Sequence, residues 1–200
     1  MLPTTSVRFF DEQFQRQAGE GSPPELNPFE QVVLPHLRGR LLDLGCGLGA
    51  LSLAAARRGC RVLALDGSPT AVAELQRRAA EQSLPVQVQL ADLRHLEVPG
   101  PFDAVACIGL LMFFDAATAQ RHLARLRDLV EPGGVVALNV LVEGTTFMDM
   151  FDPAGWCLLA PGELGRGFTG WAVLHHAVQD FPAPRGLLKR FETLVVRRPG

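Results

Sequence analysis

Short apolar runs alternate along this chain with longer stretches whose apolar residues recur at helical spacing. Leu41-Leu42-Asp43-Leu44 closes on Gly45 and predicts a buried strand. Residues 49–58, rich in Ala and Leu, suit a helix that Gly59 stops. Residues 61–65 predict a second strand, ending at Asp66-Gly67. Ser68 and Pro69 then supply an N-cap and a first helical position. That helix runs to about Gln82, with Ala71, Leu75 and Ala79 on one face. Residues 86–90 and 103–108 predict the third and fourth strands. Residues 116–130 predict a helix with the stripe Leu123, Leu126 and Val130. Pro132-Gly133-Gly134 breaks it, and residues 135–142 form a fifth strand. Strands of little polar character alternating with helices imply a parallel sheet covered on both faces.

The two ends of the chain read differently. Residues 1–30 are polar and aromatic, with breakers clustered between Gly19 and Pro24, and a short helix over 28–37 follows. Beyond residue 143 a Gly-, Pro- and Phe-containing stretch leads to strands near 171–176 and 187–196, joined by a Pro-rich connection. There is no internal repeat and no clean linker. The 200 residues are therefore read as one domain: a cap segment (1–37), a core (38–142), an insert or lid (143–170) and the final strands (171–200).

Composition removes several classes of function. Hydrophobic residues make up 48% and charged residues 20%, enough for a core without disulfide or metal staples. The formal net charge of -2 offers no bulk attraction to nucleic acid or an anionic membrane. Cys46, Cys60, Cys107 and Cys157 form no CxxC pair, and no Cys/His spacing matches a zinc site. No apolar stretch approaches the roughly 20 residues of a membrane helix. The first residues lack the charged start and apolar run of a signal peptide. A cytoplasmic protein with reduced cysteines is the expectation, and oligomeric state is left open.

The chemistry is concentrated at strand ends. Asp43-Leu44-Gly45-Cys46-Gly47-Leu48-Gly49 follows the first strand. Its glycines permit a sharp turn and close approach of a ligand to the backbone, and the next helix points its N-terminus into that space. Asp43 can orient a cationic amino group. Asp66, with Gly67, ends the second strand, where a carboxylate accepts from ribose hydroxyls. Asp92 follows the third strand, in Leu90-Ala91-Asp92-Leu93, placed to accept from an adenine amino group. A tight turn without ligand, and acids acting as helix caps, are the plain alternatives for each element alone. Gly45, Gly47 and Ala50 also fit the dinucleotide pattern G-x-G-x-x-A, but Asp43, Asp92 and Gly49 have no required role in that site.

Taken together, this constellation resembles the class I S-adenosyl-L-methionine (SAM)-dependent methyltransferases over residues 38–142. The resemblance implies a Rossmann-like α/β fold: a seven-stranded, mostly parallel sheet with helices on both faces and the last strand antiparallel. It implies SAM as cofactor, S-adenosyl-L-homocysteine as product and a small-molecule acceptor. Asp43, Gly45, Cys46, Gly47 and Gly49 would hold the methionine portion. Asp66 and Gly67 would hold the ribose, Ala91, Asp92 and Leu93 the adenine, and Ile108 and Gly109 would complete the pocket.

A narrower resemblance lies downstream. Leu111-Met112-Phe113-Phe114, Pro132-Gly133-Gly134, and Pro161-Gly162-Glu163-Leu164 followed by Gly170-Trp171 are similar to the TehB-type tellurite-resistance methyltransferases. Phe9-Phe10-x-x-x-Phe14 loosely matches that family's aromatic segment, which closes over the cofactor. The resemblance implies a chalcogen oxyanion or thiol as acceptor, an already anionic nucleophile that needs no strong base. Phe113 would exclude water and face the sulfonium, whereas Leu111 and Phe114 suit core packing. Arg185, and Arg166 beside it as a second choice, would draw an anionic acceptor inward; a solvated surface arginine is the plain alternative. Two departures bear against tellurite itself. The stretch near Gln179–Arg185 lacks the family's histidine, and Ile108-Gly109 replaces its polar residues. No [DNS]-P-P-[YFW] run and no Pro-Cys nucleophile point to a nucleic-acid acceptor. A SAM-binding module without catalysis is the rival from another class.

Overall fold

The computed structural model describes residues 5–19, 21, 23–95, 97–153 and 155–200. Seven strands form one sheet: β1 (Arg40–Leu44), β2 (Arg61–Asp66), β3 (Val86–Leu90), β4 (Phe102–Ile108), β5 (Val130–Leu141), β6 (Ala172–Pro182) and β7 (Leu188–Arg197). Their spatial order is β3-β2-β1-β4-β5-β7-β6. Strands β1 to β5 pair in parallel, and β7 is antiparallel to both of its neighbours. The expected seven-stranded, mostly parallel Rossmann-like sheet is the one found.

Six helices flank it among the described residues: α1 (Thr5–Gly19), α2 (Pro28–Val33), α3 (Ala50–Arg57), α4 (Pro69–Glu81), α5 (Ala116–Asp128) and α6 (Glu163–Arg166). The central strands β1, β4 and β5 are buried on both faces and are nearly continuous apolar runs, whereas the edge strands β3 and β6 are largely exposed. On one face Val33, Leu51, Leu53, Val72 and Leu75 of α2 to α4 meet Leu41, Val62 and Ala104. On the other, Leu126 and Leu129 pack with Leu42, Val105, Leu138 and Phe102. Ser68 caps α4 by accepting from the Ala71 N–H at 3.0 Å, with Pro69 in the first turn, as its sequence predicts.

Three boundaries depart from expectation. Pro35 lacks an N–H, so α2 yields to a single 3-10 turn over Leu34–His36. Val130 does not complete the α5 stripe: it pairs with Phe102 and opens β5, and the register shifts over the Pro132-Gly133-Gly134 segment before Ala104 pairs with Val135. The final hairpin is longer than its apolar runs suggested, because Gln179 to Pro182 pair with Phe191 to Leu188 despite their polarity. No described helix is long and apolar enough to cross a membrane.

Phe102 is 1% exposed and sits where β4 joins β5 and α5. Phe102→Ala is expected to cost about 3–5 kcal/mol, through lost transfer energy and a residual cavity. Urea unfolding of both proteins checks this; a change below about 1 kcal/mol would mean that the site collapses freely around the smaller residue.

Candidate functional site

Parallel register places the ends of β1, β2 and β3 side by side. Leu44 pairs with Leu65, and Asp66 pairs with Leu90. The loops that leave these strands therefore open on one edge of the sheet, the usual place for ligands in such folds. A cleft of about 1380 Å³ lies there, and Asp43, Asp66 and Asp92 all line it. So do Gly45, Cys46, Gly47, Gly49, Gly67, Ala91, Leu93, Ile108, Gly109 and Phe113.

The glycine loop is folded back on β2. The N–H groups of Gly45 and Cys46 donate to the Leu65 carbonyl at 2.8 and 3.1 Å. The Gly47 N–H donates to Asp66 Oδ2 at 2.8 Å, and the Ser68 N–H to Asp66 Oδ1 at 2.9 Å. Each carboxylate oxygen keeps further acceptor capacity. Gly49 has φ of +83°, which strains any other L residue, and a Cβ there would sit 2.3 Å from Leu75 Cδ1, so Leu75 would have to shift. A Cβ on Gly47 would press on the Phe14 ring at 3.2 Å.

The three carboxylates sit in different environments. Burial pushes Asp43 up to about 7, against the lowering effect of the Ser52 hydroxyl, which donates to it at 2.6 Å; Glu30 and Asp66 push it further up. Burial also raises Asp66, opposed by the backbone N–H groups of Ser68, Gly47 and Gly67. Asp92 is pulled down to about 2, chiefly by hydrogen bonds from the Arg94 guanidinium, at 2.9 and 2.7 Å. A buried, half-neutralised acid at one end of the cleft suits a cationic ligand group. An exposed acid at the other suits neutral hydrogen-bond donors.

The cap was not legible as a helix. Its residues sit over the glycine loop and line the cleft through Val7, Phe10, Asp11 and Phe14. Asp11 Oδ1 accepts from the Ser68 hydroxyl at 2.5 Å and the Thr70 N–H at 3.1 Å, tying α1 to the start of α4. Burial raises Asp11, but these hydrogen bonds outweigh it and leave the carboxyl lowered. Phe10 stacks edge-on to Phe113 at 5.1 Å, and Phe113 meets Phe151 at 5.2 Å, which meets Trp156 at 5.7 Å. An aromatic row thus joins α1, the loop after β4 and the insert. Leu111 is buried in the core, Phe114 is buried but also lines the cleft, and half-buried Phe113 faces it.

Arg185 is elsewhere. It is exposed on the β6–β7 connection, is hydrogen-bonded to Asp149, and does not line the cleft. Arg166 lies in the last turn of α6, also outside it. The Gly162-Glu163-Leu164 motif anchors the insert. Gly162 N–H donates to buried Glu192 at 2.9 Å, Glu163 accepts from Ala160 N–H at 2.9 Å, and Leu164 is buried. His176 pairs with the same Glu192 at 2.8 Å. Buried His122 packs against the Phe114 ring at 4.9 Å. No cluster of three His, Cys, Asp or Glu able to hold a metal occurs among the described residues.

Residues 41–134, from β1 to the irregular start of β5, match the family described as methyltransferase domain. Over these residues the chain is similar to that family. The chain is 38% identical over 114 residues to a ubiquinone biosynthesis O-methyltransferase of Xanthomonas campestris pv. campestris, covering 56% of this chain and 46% of the relative. The chain thus spans about half the length of the curated relatives it matches. Its fold is shared with TehB from Haemophilus influenzae, at a TM-score of 0.74 and 17% identity over 86% of this chain and 62% of that one. It is shared too with the [4+2]-cyclase SpnF, at a TM-score of 0.70 and 19% identity over 100% and 97%.

Sequence reading missed Asp11 and Asn139. Asp11 belongs to a segment whose polarity hid its helix. Asn139 carried a signal, as a polar residue inside the apolar run 135–142, and in the structure it is 1% exposed. The raised Asp43 yields a prediction about stability. Its contribution is present below its ordinary 3.8 and is lost as pH rises through about 7. Asp43→Asn removes this dependence, so the variant should gain on the ligand-free parent by about 4 kcal/mol between pH 4 and pH 8. Denaturant unfolding across that range checks it; parallel pH profiles would show that Asp43 titrates normally.

Proposed function

We propose that this protein transfers a methyl group from SAM to a small-molecule acceptor. One observation carries the reading: three carboxylates and the glycine loop converge on one elongated cleft at the strand ends. Its lining suits an amino acid joined to a nucleoside. Asp43 would pair with the amino group, and Asp66 would accept from the ribose hydroxyls while holding Gly47 in place. Asp92 and Leu93 would meet the adenine. SAM bound there supplies a methyl on a positively charged sulfur.

The chain's own residues then have three tasks. The loop and α1 fix the donor's orientation, so that attack is in line. Phe10 and Phe113 exclude water from the space beside Gly109 and offer aromatic faces to positive charge. Ile108 and Gly109, held by the Gly109 N–H donating to the Asn139 carbonyl at 2.8 Å, form the floor on which donor and acceptor meet. No strong base is needed for an acceptor that arrives as an anion. The TehB-type motifs support a thiol or a chalcogen oxyanion in that role. The sequence relatives, named O-methyltransferases, support an oxygen nucleophile. Arg185, paired to Asp149 outside the cleft, has little support as the group that draws the acceptor in.

Isothermal calorimetry on the folded protein should show SAM and S-adenosylhomocysteine binding with micromolar or better affinity. Asp66→Ala should weaken both by about 1–3 kcal/mol. No heat with either ligand defeats the proposal, and an unchanged affinity in the variant removes Asp66 from the site.

A further inference from the structure

The end of the cleft near Asp43 holds a second carboxylate, from a helix outside the strand-end motif. Asn27 caps α2 by accepting from the Phe29 and Glu30 N–H groups, each at 2.9 Å. Glu30 returns the bond: its Oε2 accepts from the Asn27 N–H at 2.8 Å. This reciprocal box fixes the Glu30 side chain at the start of the helix. Its neighbours seat the helix firmly. Fully buried Val33 packs into the core, and the Phe29 ring meets Phe191 at 4.6 Å and Phe181 at 5.3 Å. Half-buried Glu30 and its cap Asn27 line the cleft, whereas Val33 does not. The N-terminus of α2 therefore points into the site.

Strand register puts Glu30 on the side of Asp43. Val33 shares its cluster with Leu41 and Ala104, which pair with each other. Asp43 and Ile108 follow on the same faces of β1 and β4, nearer the cleft, and both line it. Glu30 precedes Val33 by one helical turn, about 4.5 Å of rise, in that same direction. After burial, the Glu30 charge is the largest effect that raises the Asp43 carboxyl, and burial raises Glu30 itself.

Among the described residues no cation lines the cleft beside this pair. Arg8 and Arg94 are the basic residues of the lining. Arg94 is bonded to Asp92 at the other end. Arg8 follows Val7, which lies over Gly67 at the end of β2. Two carboxylates facing open space without a counter-charge favour a cationic guest, which relieves their mutual repulsion. Leu48, Gly49 and Ala50 line the cleft where α3 begins, and first-turn N–H groups suit an anion. The two charged groups of an amino acid thus have separate places.

We propose that Glu30 is a second anchor for the cofactor's ammonium, gripping it together with Asp43, and that the cleft selects its nucleoside ligand by that positive charge. This role rests on the reading of the cleft as a SAM site and adds a binding residue and a selectivity to it. One Glu30 oxygen is held by the cap, and the other is left for the ligand. A nucleoside carrying the carboxylate without the ammonium would leave the two acids facing each other unrelieved. The plain alternative is that Glu30 only closes the capping box.

Glu30→Gln separates the two roles. Glutamine at this helix position closes the same box, so the cap survives while the charge is lost. Calorimetry on parent and variant uses three thioethers: S-adenosylhomocysteine, its desamino analogue with hydrogen in place of the amino group, and 5′-methylthioadenosine, which lacks the whole amino-acid end. The variant should bind S-adenosylhomocysteine at least about tenfold more weakly, as expected for loss of a charge-assisted hydrogen bond. Its affinity for methylthioadenosine should be unchanged, which also marks the variant as folded. The desamino analogue should bind the parent weakly and the variant no less well. Equal S-adenosylhomocysteine affinity in parent and variant overturns the anchor. So does an equal loss for methylthioadenosine or the desamino analogue, because the substitution then acts through the shape of the cleft. If the parent binds none of the three, the cofactor reading fails and the anchor falls with it.

Discussion

The site depends on one buried carboxylate. Asp66 ends β2 and reaches across to the neighbouring loop, accepting from the Gly47 N–H with one oxygen and the Ser68 N–H with the other. Those two bonds fix the turn after β1 against the start of α4. Bonds to charged acceptors are worth roughly 1.5–3 kcal/mol where neutral ones are worth about 1. The same carboxylate holds the loop whose bare backbone would touch a ligand. Ser68 in turn caps α4 and donates to Asp11, so α1 is seated through the same short chain of contacts. Glycine at 47 and 49 is then favoured twice over: by the positive φ of the turn, and by the close approach of Phe14 and Leu75.

Much of this was legible because burial on both faces leaves a plain record. Four of the five parallel strands are largely apolar runs, β3 alternates apolar residues with Gln, and Ser68-Pro69 marks a helix start through its capping chemistry. The strand-end acids were readable because β1, β2 and β3 are neighbours, which right-handed crossovers make the default. What escaped was set by tertiary contact. The cap helix α1 carries Arg, Glu and Gln between its aromatics, and its ordered face is decided by the cleft beneath it. The polar outer half of the β6–β7 hairpin is held by cross-strand pairs such as Arg190 with Asp180, at 2.7 and 2.8 Å. Arg185 had the right charge and the wrong place. It lies exposed on the turn between β6 and β7, with φ of +64°.

Fold and motif reach different depths. The sheet order and the loop after β1 place a cleft at the strand ends, and the architecture is shared with TehB and with a [4+2]-cyclase, so the fold alone does not name a chemistry. The insert contributes by packing: Cys157 N–H donates to the Met112 carbonyl at 3.1 Å, which holds the loop after β4 against it.

A crystal structure with S-adenosylhomocysteine soaked or co-crystallised decides the central claim. The account predicts ribose hydroxyls within hydrogen-bonding distance of Asp66, the ligand's amino group beside Asp43, its adenine beside Asp92, and the sulfur facing Phe113 and Gly109. Density for the nucleoside anywhere other than this cleft, or ribose oxygens out of reach of Asp66, would contradict it.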